Sequence, residues 1–540
     1  MNLTINEIYE NLIAHLKQAL KISVQQIITP LGSTSLPTHL VLLEKEVAVK
    51  YDIAQITRNI DDFKIYVVLA RKFRKNLAKF KGNEELKKLE KYGTSKFSRF
   101  SKSLLKPKTA ASVTLTDATG TSLKSDEDKS NLLADSYEKQ YTNPRTEQFN
   151  LPPNYVSHQP FIYVTDDEVY KRICAAKSSC SDTSDEVPFK FIKLIAPLIS
   201  SALAQFFNLT MMKGCVPSRW KSSIIIPLPK KSKPTNPVDY RPISLTSHLC
   251  RLYERCILSR LASYLDERQF WSMNQHGFRA KKSTVTNMME TLNDWTNIIE
   301  NKGQVDVIYL DFSKAFDKIP HDRLLNKLLQ LKLNAHLLMW IDNFLSDRNY
   351  RVKVGTTLSC SKPATCGVPQ GAVLSPVLFG IYVNEISSIL PSEVRCKQFA
   401  DDTKLYAPIY KNDSANPLQT SIDIIQNWSK QSKLPLNVNK TVALTLGKSN
   451  KSVDYFIEGQ SIKKEKITRD LGFIVSDKLD FSEHWRLATN KSKYLLSQVF
   501  QQFNSKNTRL MVLLYKVFIR PVLEYGTCKT LLQEDFIVVN

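Results

Sequence analysis

A β-rich run that stops at an aspartate constrains this chain more than any other feature. Residues 305–317 read VDVIYLDFSKAFD. Val305, Val307 and Tyr309 alternate with Asp306, Ile308 and Leu310, which predicts a strand with Asp311 at its C-terminal end. Ser313 stands where a cap would open a short helix through Ala315 and Phe316. A carboxylate fixed in this way at the end of a strand is held rigidly where a cation could be gripped.

A second segment, KQFADDTKLYA (Lys397 to Ala407), places Asp401 and Asp402 between two β-prone runs and predicts a hairpin whose turn carries both acids. Adjacent aspartates alone mean little, because the chain also has them at 61–62 and 166–167. Those two pairs suit a charged helix and a helix start; only the third is bracketed by Phe399 and Ala400 before it and Leu405 and Tyr406 after it. Together, Asp311 and Asp401 would make an acidic centre able to hold two hard divalent cations, with Mg²⁺ the natural choice and Mn²⁺ an alternative. In phosphoryl transfer, one such ion lowers the pKa of an attacking 3′-hydroxyl and the other neutralises the leaving pyrophosphate.

The surrounding charge has the opposite sign. Lys and Arg number 75 against 52 acids, a net charge of +23, which favours a polyanionic partner: nucleic acid or an anionic membrane surface. Ordinary hydrophobic (42%) and charged (24%) fractions exclude wholesale disorder. The nine cysteines are scattered without a Cys-x-x-Cys pair, which argues for a reduced, intracellular chain without a zinc module. The first twenty residues lack the basic start and apolar block of a secretory signal and read as a helix. The uncharged stretch from Leu194 to Met212 is broken by Pro197, Gln205 and Asn208, so it reads as a buried helix rather than a membrane span.

Residues 1–60 have helical spacing. Residues 61–110 hold 15 Lys or Arg against 5 acids, with Phe73, Phe80, Tyr92, Phe97 and Phe100 interleaved. That stripe suits a nucleic-acid backbone with stacked bases, and equally a solvated helical face followed by a Lys-rich linker. A hairpin is predicted at Val113 to Leu123, a helix at Asp126 to Tyr141, a Pro-rich linker at Asn150 to Pro160, and a new helical region opening at Thr165.

Seven segments in order carry a resemblance: YRPISL (Tyr240 to Leu245), HGFR (His276 to Arg279), YLDFSKAFD (Tyr309 to Asp317), GVPQGAVLSPVLF (Gly367 to Phe379), FADD (Phe399 to Asp402), NVNKT (Asn437 to Thr441) and DLGFIVSDKLDFSEHW (Asp470 to Trp485). This series resembles the reverse transcriptase of non-LTR, LINE-type retrotransposons of the Jockey-like branch, over about half of the chain. The resemblance implies an α+β fold built as a right hand. Fingers would span residues 165–304 and a palm with a ferredoxin-like antiparallel sheet residues 305–475, its motif region at about 224–475. A thumb-like helical region would span 476–540, where Trp485 to Phe503 reads as an amphipathic helix, and a basic, mostly helical region, 1–164, would precede them.

It implies RNA-directed DNA polymerisation, with an RNA template, a DNA primer and deoxynucleoside triphosphates as partners, no membrane, and work in the nucleus or cytoplasm. Carried over residue by residue, Asp311, Asp401 and Asp402 would bind the two ions. Phe316 would gate against the ribose 2′-hydroxyl, its alternative being a core ring. Gln370 and Gly371 would contact the nucleotide, with Ser375 capping the following helix over Pro376. Lys230 and Arg241 would hold the triphosphate, although Lys231 and Lys233 leave the choice of lysine open. Lys440 would protonate the leaving pyrophosphate or be a plain surface lysine. Arg279 would touch template or backbone, and His276 reads as structural.

CSDTSDEVP (Cys180 to Pro188) departs from the Gly-Pro-Asp-Gly of many relatives, and the ending LLQEDFIVVN departs from the family's continuation after Gly526, as a truncated frame would. No endonuclease, RNase H, zinc-knuckle or protease pattern is recognisable. Two competing readings remain: a decayed or domesticated RNA-binding relative, against which the intact carboxylates weigh, and an intron-type maturase, against which the short C-terminal remainder weighs.

Overall fold

The alternation at residues 305–310 becomes a strand in the computed structural model, and that strand lies at the centre of a sheet. The structure describes residues 3–23, 36–105, 113–117, 120–179, 181, 183–301, 303–409, 416–447 and 453–526; Cys180, Cys528 and the segment 531–540 fall outside them. The ordering strands are β1 (Ser222–Pro229), β2 (Tyr240–Leu245), β3 (Gln304–Leu310), β4 (Arg348–Val354), β5 (Thr357–Leu358), β6 (Lys362–Ala364), β7 (Arg395–Phe399), β8 (Asp402–Ile409) and β9 (Val442–Leu446). Helices pack around them, so the class is α+β.

One sheet runs Lys463–Glu465, β9, β3, β8, β7. Its four central and catalytic-side strands are antiparallel neighbours, but Lys463–Glu465 pairs with β9 in parallel, so the sheet is mixed at that edge rather than wholly antiparallel. Leu310 faces Thr403 across the β3–β8 ladder, which brings Asp311 beside Asp402 where the ladder ends. In the other sheet β2 pairs with β1, and β1 runs parallel to β4, which carries β5 and β6.

The chain divides into two units: Met1–Gln25 with Ser112–Leu471 and Ser476–Leu479, and Gln26–Ala111 with Gly472–Val475 and Asp480–Asn540. Both sheets belong to the first. Its core gathers rings: Phe207 stacks on Tyr253 with centroids 4.6 Å apart, and Trp340 meets Tyr253 edge-on at 5.6 Å. The uncharged stretch is the helix Ala196–Lys213, whose Leu203, Phe207 and Met211 are buried. Among the described residues, no helix is long and apolar enough to cross a membrane. The helix Ile5–Ser23 belongs to this unit as well: Tyr9 is buried and its hydroxyl donates to Asp185 Oδ1 at 2.7 Å. The predicted hairpin is present as a Thr116–Ser122 bridge closed by Asp117 and Thr121, and Thr165 caps the helix Asp166–Ala175.

In the second unit residues 61–105 of the basic window lie on the helix Ile60–Leu105, and 106–110 fall outside the described residues. Arg71, Lys72, Arg74 and Lys75 face solvent, but Phe97 is buried against Val499, Phe503 and Leu510. At least that aromatic serves packing rather than base stacking. The Glu85 carboxylate accepts from the backbone N–H groups of Asn504 (3.1 Å) and Ser505 (2.9 Å) within the same unit.

Candidate active site

The geometry around Asp311 begins with backbone. Its carbonyl accepts from Asn437 N at 2.8 Å, and Ser313 N donates to Pro435 O at 2.8 Å, so the NVNKT loop is laced to the end of β3. Lys440, in that loop, therefore stands over the acid, with Nζ 3.5 Å from Asp311 Oδ2. Its ammonium is largely exposed and free to meet a ligand. The helix after Asp311, Ala315–Lys318, is not capped by Ser313: the cap position is Lys314, with φ +53° and no side-chain bond. The backbone N–H of Ser313 donates to Pro435, and the left-handed turn falls one residue later, at Lys314.

Asp401 and Asp402 follow Ala400, whose φ of +59° is unusual for a residue with a Cβ. The HGFR segment holds this turn. Gln275 Oε1 accepts from Gly277 N (2.7 Å) and from Ala400 N (3.1 Å), and His276 N donates to Gln398 O (2.9 Å). A Cβ on Gly277 would lie 2.2 Å from Ala400 N, so only glycine allows this approach. His276 is buried between Thr286 and Glu290, and burial pushes its pKa down to about 4, making it a neutral structural ring. Against its own burial, Glu290 is held down to about 2 by hydrogen bonds from Lys397 and Lys282. Arg279 donates to Ser272 O at 2.9 Å and so braces its own segment.

The carboxylates feel one another. Burial raises the pKa of Asp401, and Asp311 adds to it, while Arg241 and Lys440 oppose it. Asp402 keeps an exposed surface but is crowded by protein; burial, then Asp401, Asp470 and Asp311, raise its pKa to about 6. Asp311, Asp402 and Lys440 line one cleft of about 170 Å³, together with Lys404 and Asp470. Asp311 Oδ2 is buried without a hydrogen-bond partner. Among the described residues, no three acid, histidine or cysteine side chains are gathered into a ready-made ion site.

Cations flank the acids. Lys231 is paired with Asp239 at 3.0 Å, whereas Lys230 donates to Val238 O at 2.8 Å and has its pKa lowered by burial and then by Lys440 and Arg241. Of the candidate lysines, Lys230 is thus the one set among the site's other cations. Arg241 is exposed on β2, opposite Leu228.

Phe316 is half-buried, stacked on Phe379 with centroids 4.3 Å apart and edge-on to Phe278 at 6.3 Å. Gln370 Nε2 donates to both carboxylate oxygens of Asp317, at 2.9 and 2.8 Å, and Gln370 O accepts from Ser244 N at 2.7 Å. Gly371 has φ +126°, and a Cβ there would meet Ser244 O at 2.5 Å. The Pro-Gln-Gly turn is therefore fastened to β2 and to the helix bearing Phe316. Ser375 is not a cap: it lies inside the helix Ser375–Val383, its hydroxyl donating to Pro369 O at 2.7 Å, while the N–H groups of Val373 and Leu374 are taken by the buried Glu254 at 2.7 and 2.9 Å.

Sequence reasoning missed Lys404 and Asp470, a buried pair at 2.6 Å beside Asp402, and also Gln275, Glu254 and Asp317. β8 is buried along most of its length on both faces, so no alternation in the sequence marks Lys404 as an inward charge.

Residues 228–475 match the family model for reverse transcriptase (RNA-dependent DNA polymerase). Among curated proteins of Drosophila melanogaster, the chain is 28% identical over 427 residues to the RNA-directed DNA polymerase from mobile element jockey, covering 74% of this chain and 46% of that protein. It is 26% identical over 427 residues to the probable RNA-directed DNA polymerase from transposon BS, covering 75% and 47%. To the corresponding protein of transposon X-element it is 27% identical over 332 residues, covering 59% and 36%. The chain thus spans less than half the length of these relatives. With its carboxylate cleft inside the matched span, the chain is similar to the RNA-directed DNA polymerases of non-LTR retrotransposons, and residues 228–475 match the reverse transcriptase family.

Proposed function

We propose that this chain is an RNA-directed DNA polymerase that adds deoxynucleotides to a primer 3′-hydroxyl on an RNA template. The observation that carries the reading is the convergence of Asp311, from the end of β3, with Asp401 and Asp402, from the β7–β8 turn, beside Lys440 and Arg241. In this reading the β3 sheet is the palm of a right hand, residues 165–304 are fingers and the helices after 475 are thumb.

Asp311, Asp401 and Asp402 would hold the divalent ions, whose chemistry is to activate the primer hydroxyl and neutralise pyrophosphate. The raised pKa values of Asp401 and Asp402 fit acids that lack their counter-charge. Lys230 and Arg241 would bind the triphosphate, Arg241 through a two-pronged contact. Lys440 would deliver a proton to the departing pyrophosphate oxygen. Gln370, fixed through Asp317, and Gly371, fixed under Ser244, would present a rigid floor to the base and sugar. Phe316, braced on Phe379, would exclude a 2′-hydroxyl by bulk.

The test is Mg²⁺-dependent extension of a DNA primer on an RNA template by the full chain. Asp401→Asn should lower extension by several orders of magnitude with RNA binding retained; extension at the wild-type rate would remove the metal role.

A further inference from the structure

A second cleft in the same unit, about 690 Å³, opens between Lys177, Ser179 and Ser181 on one side and the start of the helix His248–Glu267 on the other. Its lining shares no residue with the carboxylate cleft. We infer that it binds a phosphodiester of a nucleic-acid strand, held by Arg251 and Arg255.

His248, Arg251 and Arg255 fall at i, i+3 and i+7, one face of the helix. Lys177, Ser179 and Ser181 line the opposite wall. Among the described residues, neither Arg251 nor Arg255 is paired with a carboxylate, and Arg251 Nε is buried without a hydrogen-bond partner. The neighbouring acids are engaged elsewhere. Glu168 is shared by Arg172 (3.0 Å) and Arg260; Asp185 accepts from Ser247 Oγ (2.6 Å), His248 N (3.1 Å) and Tyr9; Glu254 accepts from backbone amides. Burial lowers the pKa of Arg255, Arg251 adds to it and Glu254 opposes it, so the two guanidinium groups stand close enough to repel. Like charges one turn apart are unfavourable, and a bound anion reverses that sign.

Guanidinium forks and hydroxyl donors suit phosphate oxygens. A polymer is favoured over a free ion on two grounds. The two arginines stand about 6 Å apart along the helix, wider than one phosphate group, and the whole chain carries +23. The inference concerns binding alone, so it stands or falls separately from polymerisation.

The test measures affinity of the full chain for a short single-stranded RNA, and for DNA of the same sequence, as a function of salt. In Arg251→Gln/Arg255→Gln, the slope of log affinity against log salt should become shallower by about 1.4, or roughly 0.7 per lost contact on a single strand. Arg251→Lys/Arg255→Lys should retain the slope, and thermal melting verifies that each variant is folded. A change for RNA only assigns an RNA strand, and a change for both assigns backbone of either kind. A folded Gln variant with an unaltered slope overturns the inference, as does stabilisation of the wild type alone by inorganic phosphate with no change in oligonucleotide binding.

Discussion

Lys404 Nζ lies 2.6 Å from Asp470 Oδ2, and both side chains are almost wholly buried beside the carboxylate cleft. Taking both charges out of water is costly, and leaving one of them alone costs more. Asp470→Ala should therefore destabilise the chain by about 3 to 5 kcal/mol, whereas Lys404→Met/Asp470→Leu should recover most of that loss. Urea unfolding of the single and double variants measures it, and equal losses in both would mean that the pair is not coupled.

Gly277 lets the HGFR segment lie against the Ala400 turn. Gly277→Ala should displace that turn and reduce primer extension by about 100-fold, the order expected of a misplacement near 1 Å. Gly120, around which nothing lies within 4 Å of a new Cβ, provides the comparison: Gly120→Ala should leave extension unchanged and cost only the strain of its positive φ.

Phe316→Val should relax discrimination against ribonucleotides by about 10- to 100-fold, the range open to a steric change in a pocket. The ratio of rGTP to dGTP incorporation measures it. Because Phe316 also stacks on Phe379, an altered melting point with an unchanged ratio would assign the ring to packing alone.

Asp317 is buried, and burial raises its pKa to about 6 in spite of hydrogen bonds from Gln370 and the nearby Lys314 and Lys230. A carboxyl group with a raised folded-state pKa favours the fold below its unfolded value near 4, and this contribution is lost as pH rises through about 6. Asp317→Asn should remove that dependence. The stability difference between wild type and variant should change by an amount on the order of 3 kcal/mol between about pH 4 and pH 8. Denaturant midpoints across that range measure it, and parallel profiles would contradict it.

Much of the site is legible in the sequence because it is local. The alternation before Asp311 and the β-prone runs around Asp401 and Asp402 each become strands, since a period of two with β-branched residues leaves few alternatives. Thr165 caps its helix through a bond three residues away. Local reasoning fails where a distant partner takes over a side chain. Ser375 donates to Pro369, and Glu254, more than a hundred residues earlier, takes the amides of Val373 and Leu374 just ahead of the helix. Ser313 has no cap role because the helix starts one residue later, with Lys314 at the cap position. Lys404 with Asp470 and Gln275 with Ala400 are pairings across the fold that no window of sequence contains. Phe97 looks like a base-stacking ring until Val499 and Phe503 are seen to cover it.

The helix Ile5–Ser23 is made well before the surface that buries it, since Tyr9 reaches its partner Asp185 only after 176 further residues have been made. The same ring stacks on Phe206 and meets Trp220 edge-on, so this nascent helix must wait, tethered through residues 26–111, for the surface that buries it. A fragment trimmed from the front to the start of the second unit-one segment would uncover Phe206 and Trp220 and strip Asp185 of a donor. Preparations for biochemistry should therefore keep the opening helix, even though it lies more than two hundred residues upstream of the span that identifies the family.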